Sequence, residues 1–148
     1  MKSFKKLILF CVVFLLSGCV KETQTYKYEE TPEVELEHEY SEVSDYELLW
    51  ETMFDVDSDN YYVYIYSTTC NHCVELKNYI ILKALEQRNI YFVKGSSKDQ
   101  LGNDINLSKN AENPRDIWIL GYPSLIQIKA HKCVKNLAGI NQIKGELK

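Results

Sequence analysis

From Tyr61 to Leu85 the chain reads YYVYIYSTTCNHCVELKNYIILKAL. The first six residues are aromatic or β-branched, a composition that is typical of a buried strand. Beyond the two cysteines, apolar residues recur at near-helical spacing, which indicates an amphipathic helix. These apolar residues are Val74, Leu76, Ile80 and Leu85. The stretch therefore predicts a strand followed by a helix, with Cys70 and Cys73 at the N-terminus of the helix.

This position makes Cys70 and Cys73 candidates for redox chemistry. Unpaired backbone N–H groups and the helix dipole stabilise a thiolate at a helix N-terminus, and the thiolate is the form that attacks disulfides. Cys11 and Cys19 lie in the first 19 residues, which have the features of an N-terminal export signal and its cleavage site. Only Cys133 then remains besides the pair. A structural disulfide framework prefers an even number of cysteines, so a redox pair with one spare thiol fits better.

The N-terminus has the features of a bacterial export signal. Three lysines precede the apolar run 7–16, and Ser17-Gly18-Cys19 follows it, a pattern that is typical of a secretory signal. The residues LSGC at 16–19 resemble the lipobox of bacterial lipoproteins, in which the cysteine is acylated and the chain is cut just before it. An uncleaved anchor is the alternative, but the run is shorter than the roughly 20 residues of a spanning helix. We therefore predict a signal peptide over 1–18, a lipid anchor on Cys19 and a location on the extracytoplasmic face of the cell membrane.

Residues 19–43 are predicted to form an acidic, disordered tether. This segment holds eight glutamates against Lys21 and Lys27 and has few large aliphatic residues, so apolar burial cannot offset the entropy lost on ordering. His38 is predicted to be a solvated residue of the tether. Once residues 1–18 are removed, 14 basic residues stand against 21 acidic ones, a net charge of −7. Such a charge argues against a nucleic acid partner.

Residues 44–148 are enough for one small domain. Ser44 and Glu47 match a capping box, which predicts a first helix beginning at Ser44. A second strand is predicted over 90–93, so that strand, helix and strand form a βαβ unit. Residues 95–113 are predicted to be a long loop or weak helix, with a helical turn starting at 113–116. A hairpin of 124–129 and 132–137 and a short helix after Gly139 close the chain.

This order of elements resembles the thioredoxin superfamily. The resemblance covers residues 60–148 and rests on Thr69–Cys73, on Gly121-Tyr122-Pro123-Ser124 and on the closing hairpin, glycine and helix. It implies an α/β, thioredoxin-like fold in which a central mixed β-sheet is flanked by helices. It also implies that Pro123 is cis and faces the dithiol, which the small trans preference of X-Pro bonds allows.

The same resemblance implies roles for the site residues. Cys70 is expected to be the attacking thiolate, and Cys73 the resolving thiol that closes on the mixed disulfide. The backbone of Tyr122, next to Pro123, is expected to bind an extended substrate segment. A positive charge on His72 would stabilise the thiolate and make the disulfide more oxidising, and a solvent-facing residue without such an effect is the alternative. This chemistry requires no cofactor and no metal.

Three positions depart from the thioredoxin pattern. Thr69 stands where thioredoxins carry tryptophan, Asn71 replaces the usual proline, and Tyr64 stands where thioredoxins bury an acid. Because a tyrosine is a poor general base at neutral pH, proton transfer to Cys73 lacks its usual helper. The resemblance thus predicts disulfide exchange more firmly than a reductase, and the direction of electron flow stays open.

Two other interpretations of the cysteines stay open. Cys70, Cys73, His131 and Cys133 make a Cys3His set that could close around zinc, although the spacing of His131 and Cys133 on a hairpin is unusual for zinc modules. A buried, apolar role for Cys133 on the inward face of its strand is the simpler prediction. Alternatively, Cys70 and Cys73 form a permanent structural disulfide in an accessory or binding lipoprotein.

The sequence as a whole predicts a membrane-tethered, extracytoplasmic thiol-disulfide oxidoreductase. Its expected partners are cysteine-containing exported proteins, which exchange disulfides with the Cys70–Cys73 pair. A membrane protein that recycles the pair is a further candidate partner. The protein is expected to be a monomer.

Overall fold

The computed structural model of the chain describes residues 37–96 and 99–148. The predicted signal peptide over 1–18, the lipid anchor on Cys19 and the tether up to residue 36 lie outside the described residues. No helix in the described ranges is long and apolar enough to cross a membrane. The structure therefore bears on the predictions for the domain.

Strands and helices follow the predicted order through most of the domain. The strands are β1 (Glu47–Leu48), β2 (Asn60–Tyr66), β3 (Ile90–Lys94), β4 (Ser124–Lys129) and β5 (Lys132–Ala138). The α-helices are α1 (Asn71–Gln87) and α2 (Ile140–Glu146), and short 3-10 helices cover Tyr40–Tyr46, Trp50–Thr52, Ile105–Ser108 and Pro114–Asp116. The strand before the dithiol, the helix after it, the hairpin and the terminal helix are confirmed.

The five strands form one mixed sheet in the order β1-β3-β2-β4-β5. β3 pairs in parallel with both β1 and β2, whereas β4 is antiparallel to β2 and β5 is antiparallel to β4. Because α1 joins the parallel strands β2 and β3, the predicted strand–helix–strand unit is confirmed. The central position of β2 places Tyr64 between Phe92 and Leu125 of its two neighbours.

Helix α1 begins at the dithiol because Cys70 caps it. The Cys70 backbone is extended, and its sulfur accepts a hydrogen bond from the Cys73 N–H. At the other end, Arg88 has a φ of 55° and donates its N–H to the Ala84 carbonyl, a left-handed helix end of a common kind. The buried side chains of the helix are Cys73, Leu76, Ile80, Ile81 and Ala84.

Strand β2 separates two parts of the core. Tyr64 and Tyr66 pack with Cys73 and the apolar side of α1 on one face of the sheet, here named the Cys73 face. The other face, named the Cys133 face, holds the alternate residues of β2 together with Cys133. These alternate residues are Tyr61, Val63 and Ile65. Because side chains alternate along a strand, this division follows the predicted pattern, and burial on both faces explains why the strand reads as one continuous apolar run.

The helix predicted from Ser44 is wrong. A 3-10 helix over Tyr40–Tyr46 runs through Ser44, and the chain then enters β1. The reason is tertiary: Glu47 and Leu48 pair in parallel with β3, and an α-helix through these residues would exclude that pairing. The pairing of Glu47 and Leu48 with β3 therefore decides the conformation of this segment, and the local capping pattern does not.

The packed domain also begins earlier than the predicted boundary at Ser44. Val43 is fully buried, and the Tyr40 ring stacks on Tyr66 with 4.0 Å between ring centroids. An aromatic ring buries a large apolar area, so Tyr40 and Val43 help to order a segment that its composition assigns to the tether.

His38 is anchored to the domain and is not the solvated residue we predicted. Its backbone N–H donates to the Asn78 Oδ1 at 2.9 Å, and its ring lies 2.9 Å from the Glu42 carboxylate. Next to it, Glu39 forms an ion pair with Lys77 at 2.6 Å. The end of the acidic segment therefore lies along α1.

Candidate active site

Cys70 and Cys73 differ in exposure. Cys70, at the cap of α1, is half-buried, whereas Cys73, in the first turn, is only 1% exposed. Both are free thiols. The Cys73 N–H lies 3.3 Å from the Cys70 sulfur and donates to it, so a thiolate on Cys70 receives a hydrogen bond from the helix backbone. Cys70 is thus the sulfur of the pair that another molecule can reach.

The loop before β4 forms the opposite side of the site. The Tyr122–Pro123 peptide bond is cis, and the Cys70 thiol donates to the Tyr122 carbonyl oxygen at 3.3 Å. Ser124 Oγ donates to the Gly121 carbonyl at 2.7 Å and closes the loop on itself. The structure therefore brings Tyr122 and Pro123 to the dithiol, where the resemblance to thioredoxins implies them.

The loop after β3 holds the Tyr122 side chain. The Tyr122 hydroxyl donates a short hydrogen bond to the Asp99 carboxylate, which also accepts from the Ser96 N–H at 3.1 Å. Gly95 lies against the ring, because a Cβ there would come within 2.5 Å of the Tyr122 Cζ. Burial and this hydrogen bond raise the pKa of Tyr122, so the hydroxyl remains a donor. These contacts hold the Tyr122 carbonyl opposite Cys70.

Sequence reasoning missed Asp99 and Gly95, because both lie in the segment 95–113 that it described only as a loop. The one local signal is the spacing of Ser96 and Asp99. Both the N–H and the hydroxyl of Ser96 donate to the Asp99 carboxylate at 3.1 Å, a pattern that a serine and an aspartate at this spacing can form. Nothing local connects these two residues to Tyr122, which follows Asp99 by 23 residues.

Tyrosines surround Cys73 inside the domain. Tyr64 of β2 lies in the same buried cluster, and the partly buried Tyr40 packs against it. Burial raises the pKa of the Cys73 thiol; the Ser67 backbone lowers it, the Cys70 thiol raises it further, and the Tyr64 hydroxyl lowers it. Burial also raises the pKa of Tyr64 far above its ordinary value. At neutral pH the Tyr64 hydroxyl is therefore a hydrogen-bond donor and not a base.

His72 lies exposed on the first turn of α1, between the two cysteines in sequence. Within residues 37–96 and 99–148 its ring makes no hydrogen bond and no ion pair. The effect of His72 on the Cys70 thiolate therefore stays a prediction. It is based only on the position of His72 between the two cysteines in sequence.

A cavity of about 180 Å³ adjoins the dithiol turn on the side of the N-terminal segment. Val74, which follows Cys73, is 59% exposed and supplies an apolar wall, while the ion pair of Lys77 and Glu39 supplies a charged one. The residues lining the cavity are Glu39, Tyr40, Ser67, Thr68, Val74 and Lys77. Sequence reasoning missed this cavity because it assigned Glu39 and Tyr40 to the tether.

The structure does not bring together the residues of the alternative zinc site. Cys133 packs on the opposite face of the sheet from Cys73, and His131 lies in the hairpin turn with a φ of 59°. In the part of the chain that the structure describes, no group of three or more His, Cys, Asp or Glu side chains is placed to hold a metal. Cys133 is 1% exposed, and burial raises the pKa of its thiol to about 11.

No protein-family model and no curated protein matches the chain. Among solved structures, the oxidised form of mitochondrial thioredoxin 3 from Saccharomyces cerevisiae is 16% identical, with 72% of this chain and 93% of that chain covered and a TM-score of 0.49. Thioredoxin f2 from Chlamydomonas reinhardtii is 16% identical, with 68% and 88% covered and a TM-score of 0.44. A thioredoxin from Plasmodium falciparum is 12% identical, with 66% and 87% covered and a TM-score of 0.44. At these identities and TM-scores the similarities carry no conclusion about activity.

Proposed function

Because the chain has a thioredoxin-like fold, with a dithiol at the start of α1 opposite a cis-proline loop, we propose that it is a thiol-disulfide oxidoreductase. The observation that carries the proposal is the difference in exposure between Cys70 and Cys73. Cys70 is half-buried and hydrogen-bonded to the Tyr122 carbonyl, whereas Cys73 is buried behind it. Exchange through a mixed disulfide requires one cysteine that a substrate can reach and a second cysteine that contacts only the first.

The exchange proceeds in two steps. The Cys70 thiolate attacks one sulfur of a substrate disulfide, a bond forms between them, and the other substrate sulfur leaves as a thiolate that takes up a proton. Cys73, after loss of its proton, attacks the Cys70 sulfur, and the Cys70–Cys73 bond forms as the bond to the substrate breaks. Two electrons pass from the dithiol to the substrate, and the reverse sequence oxidises a substrate dithiol.

Substrate binding in this proposal is directed mainly at the backbone. The Tyr122 carbonyl, which accepts from Cys70 in the free protein, is available to a substrate N–H once Cys70 is engaged. Backbone hydrogen bonds of this kind give affinity without strong sequence selection. The cavity beside Val74 offers a place for one substrate side chain next to the reacting cysteine.

The proposal also includes the location. The protein is a monomer held on the extracytoplasmic face of the membrane by lipid on Cys19, where it exchanges disulfides with cysteine-containing exported proteins and is recycled by a membrane redox partner. Two acyl chains give stable attachment where one gives only marginal binding. Replacement of Cys19 by serine should abolish incorporation of a labelled fatty acid, and unchanged incorporation would contradict lipid anchoring at this residue.

Capture of mixed disulfides tests the exchange. Cys73→Ser should accumulate mixed disulfides with exported proteins through Cys70, because the resolving thiol is missing. Cys70→Ser should accumulate none, and Cys133→Ser is the matched control that leaves the pair intact. Equal trapping by the Cys70 and Cys73 variants would contradict the assigned roles.

A measured reduction potential separates exchange from the structural alternative. A redox-active pair equilibrates with glutathione or thioredoxin, whereas structural disulfides have potentials below about −300 mV. A Cys70–Cys73 disulfide that resists reduction at such a potential would contradict the proposed function.

A further inference from the structure

The Tyr64 hydroxyl is a buried polar group without a partner. Its residue is fully buried in the centre of the sheet, and among the described residues the hydroxyl has no hydrogen-bond partner of acceptable geometry. The same holds for the buried hydroxyl of Tyr40. Tyr64 and Cys73 lie in the same buried cluster, and the partly buried Tyr40 packs against it.

Such a group is costly in a folded protein. An unsatisfied buried hydroxyl costs about 1–3 kcal/mol, and the other tyrosines of β2 avoid the cost. Tyr61, Tyr62 and Tyr66 each donate, respectively to the Met53 carbonyl, to Glu146 and to Glu47, at 2.8–2.9 Å. Phenylalanine at position 64 would fill the same space without the cost, so the hydroxyl calls for an explanation beyond packing.

The ionised Cys73 sulfur accepts one backbone hydrogen bond, from Ser67, and a second donor would stabilise it further. Burial disfavours its thiolate, and among the described residues the titratable groups that face it include Cys70, Tyr64, Tyr40 and Tyr122. The tyrosines stay neutral because burial raises the pKa of each of them. A neutral hydroxyl that lacks a partner donates most strongly to a nearby anion, and a thiolate on Cys73 is that anion.

We propose that the Tyr64 hydroxyl is the donor that stabilises the Cys73 thiolate during the resolving step, a role that rests on the proposed function. In the dithiol state the hydroxyl has no hydrogen-bond partner of acceptable geometry among the described residues. When Cys73 loses its proton to solvent, the hydroxyl donates to the sulfur, and the thiolate then attacks the Cys70 sulfur of the mixed disulfide. The Cys70–Cys73 bond forms, the substrate sulfur leaves with the electron pair of the broken bond, and Tyr64 keeps its proton throughout.

The test is the rate of the resolving step in Tyr64→Phe, which removes one oxygen atom. Reduced full-length protein carrying Cys133→Ala is mixed with Ellman's reagent, a chromogenic aromatic disulfide. The first release of thionitrobenzoate reports the attack by Cys70, and the second reports its resolution by Cys73. The other cysteines contribute the same background in every variant. Tyr66→Phe is the matched control, since it removes a hydroxyl from the same strand and face, but one that donates to Glu47.

The second phase should slow about three- to tenfold in Tyr64→Phe, while the first phase stays unchanged. A hydrogen bond to a charged group corresponds to about one to two pKa units. Each unit lowers the thiolate fraction tenfold, and the higher nucleophilicity of the more basic thiolate recovers about threefold. The pH profile of the second phase should therefore shift towards alkaline pH. Tyr66→Phe should keep the wild-type profile.

A merely structural role has a different signature. Removal of an unsatisfied hydroxyl should leave stability in urea unchanged or higher, so a slower second phase in a variant of full stability supports the proposal. A second phase within twofold of the wild type at every pH would overturn it while leaving the proposed function intact. A wild-type protein that shows no second phase at all would instead overturn the proposed function, and this inference with it.

Discussion

Gly95→Ala tests the contacts that hold the cis-proline loop. The added Cβ would lie 2.5 Å from the Cζ and Oη of Tyr122 and 2.6 Å from its Cε1, so the ring must move by about 1 Å to reach ordinary contact distance. Gly95 has no left-handed φ, so the backbone itself accepts alanine. The collision with the ring is therefore the cause of any effect.

The expected loss of stability is about 2 kcal/mol. Overpacking of this kind costs about 1–3 kcal/mol, and displacement of the ring also removes the hydrogen bond from Tyr122 to Asp99, which is worth less in this half-exposed place than in a buried one. For a domain of this size the loss corresponds to a fall in Tm of about 8 °C.

Urea unfolding of the reduced protein measures the loss, and Gly145→Ala is the matched control. A Cβ at Gly145 meets nothing within 4 Å, and the residue lies in α2, where alanine should raise stability by about 0.5–1 kcal/mol. If Gly95→Ala unfolds within about 0.5 kcal/mol of the wild type, the ring is not held as described and the reasoning fails.

Three further outcomes are expected. Val43→Ala should lower stability by about 2 kcal/mol because it empties a fully buried site ahead of the predicted domain boundary, whereas the exposed Val134→Ala should stay within about 0.5 kcal/mol in the same unfolding assay. Stability should fall above pH 9, by up to about 1.4 kcal/mol per pH unit for each buried thiol. The folded state holds the Cys133 proton up to a pKa of about 11 while the unfolded chain releases it near 9.0, so Cys133→Ala should make the fall shallower. His72→Ala should lower the reduction potential by about 20 mV, and a potential equal to that of the wild type would contradict the predicted role of the imidazole.

The sequence predicted the elements around the dithiol because each has its own periodicity. The continuous apolar run of β2 and the helical spacing after Cys73 are local patterns, and each persists over enough residues to outweigh alternatives. The turn residues at 130–131 and Gly139 similarly marked the hairpin and the start of α2. The backbone of the site could thus be placed from the sequence.

The contacts that complete the site could not be predicted, because they join residues that are distant in sequence. Tyr40 belongs to an acidic segment by composition, yet it is ordered by stacking on Tyr66. Asp99 lies in an irregular loop, and only the fold brings it to Tyr122. The false helix at Ser44 has the same origin, since a local capping pattern gave no indication of the pairing between β1 and β3.

The sheet separates Cys133 from the pair formed by Cys70 and Cys73. A disulfide requires Cα atoms within about 7 Å and side chains that point towards each other, whereas Cys73, in α1, packs on one face of the sheet and Cys133, in β5, packs on the other. A disulfide between Cys133 and either cysteine of the pair would require this packing to open, so the fold keeps Cys133 apart from Cys70 and Cys73. Among the described residues, the sheet therefore keeps Cys133 from forming a disulfide with Cys70 or Cys73.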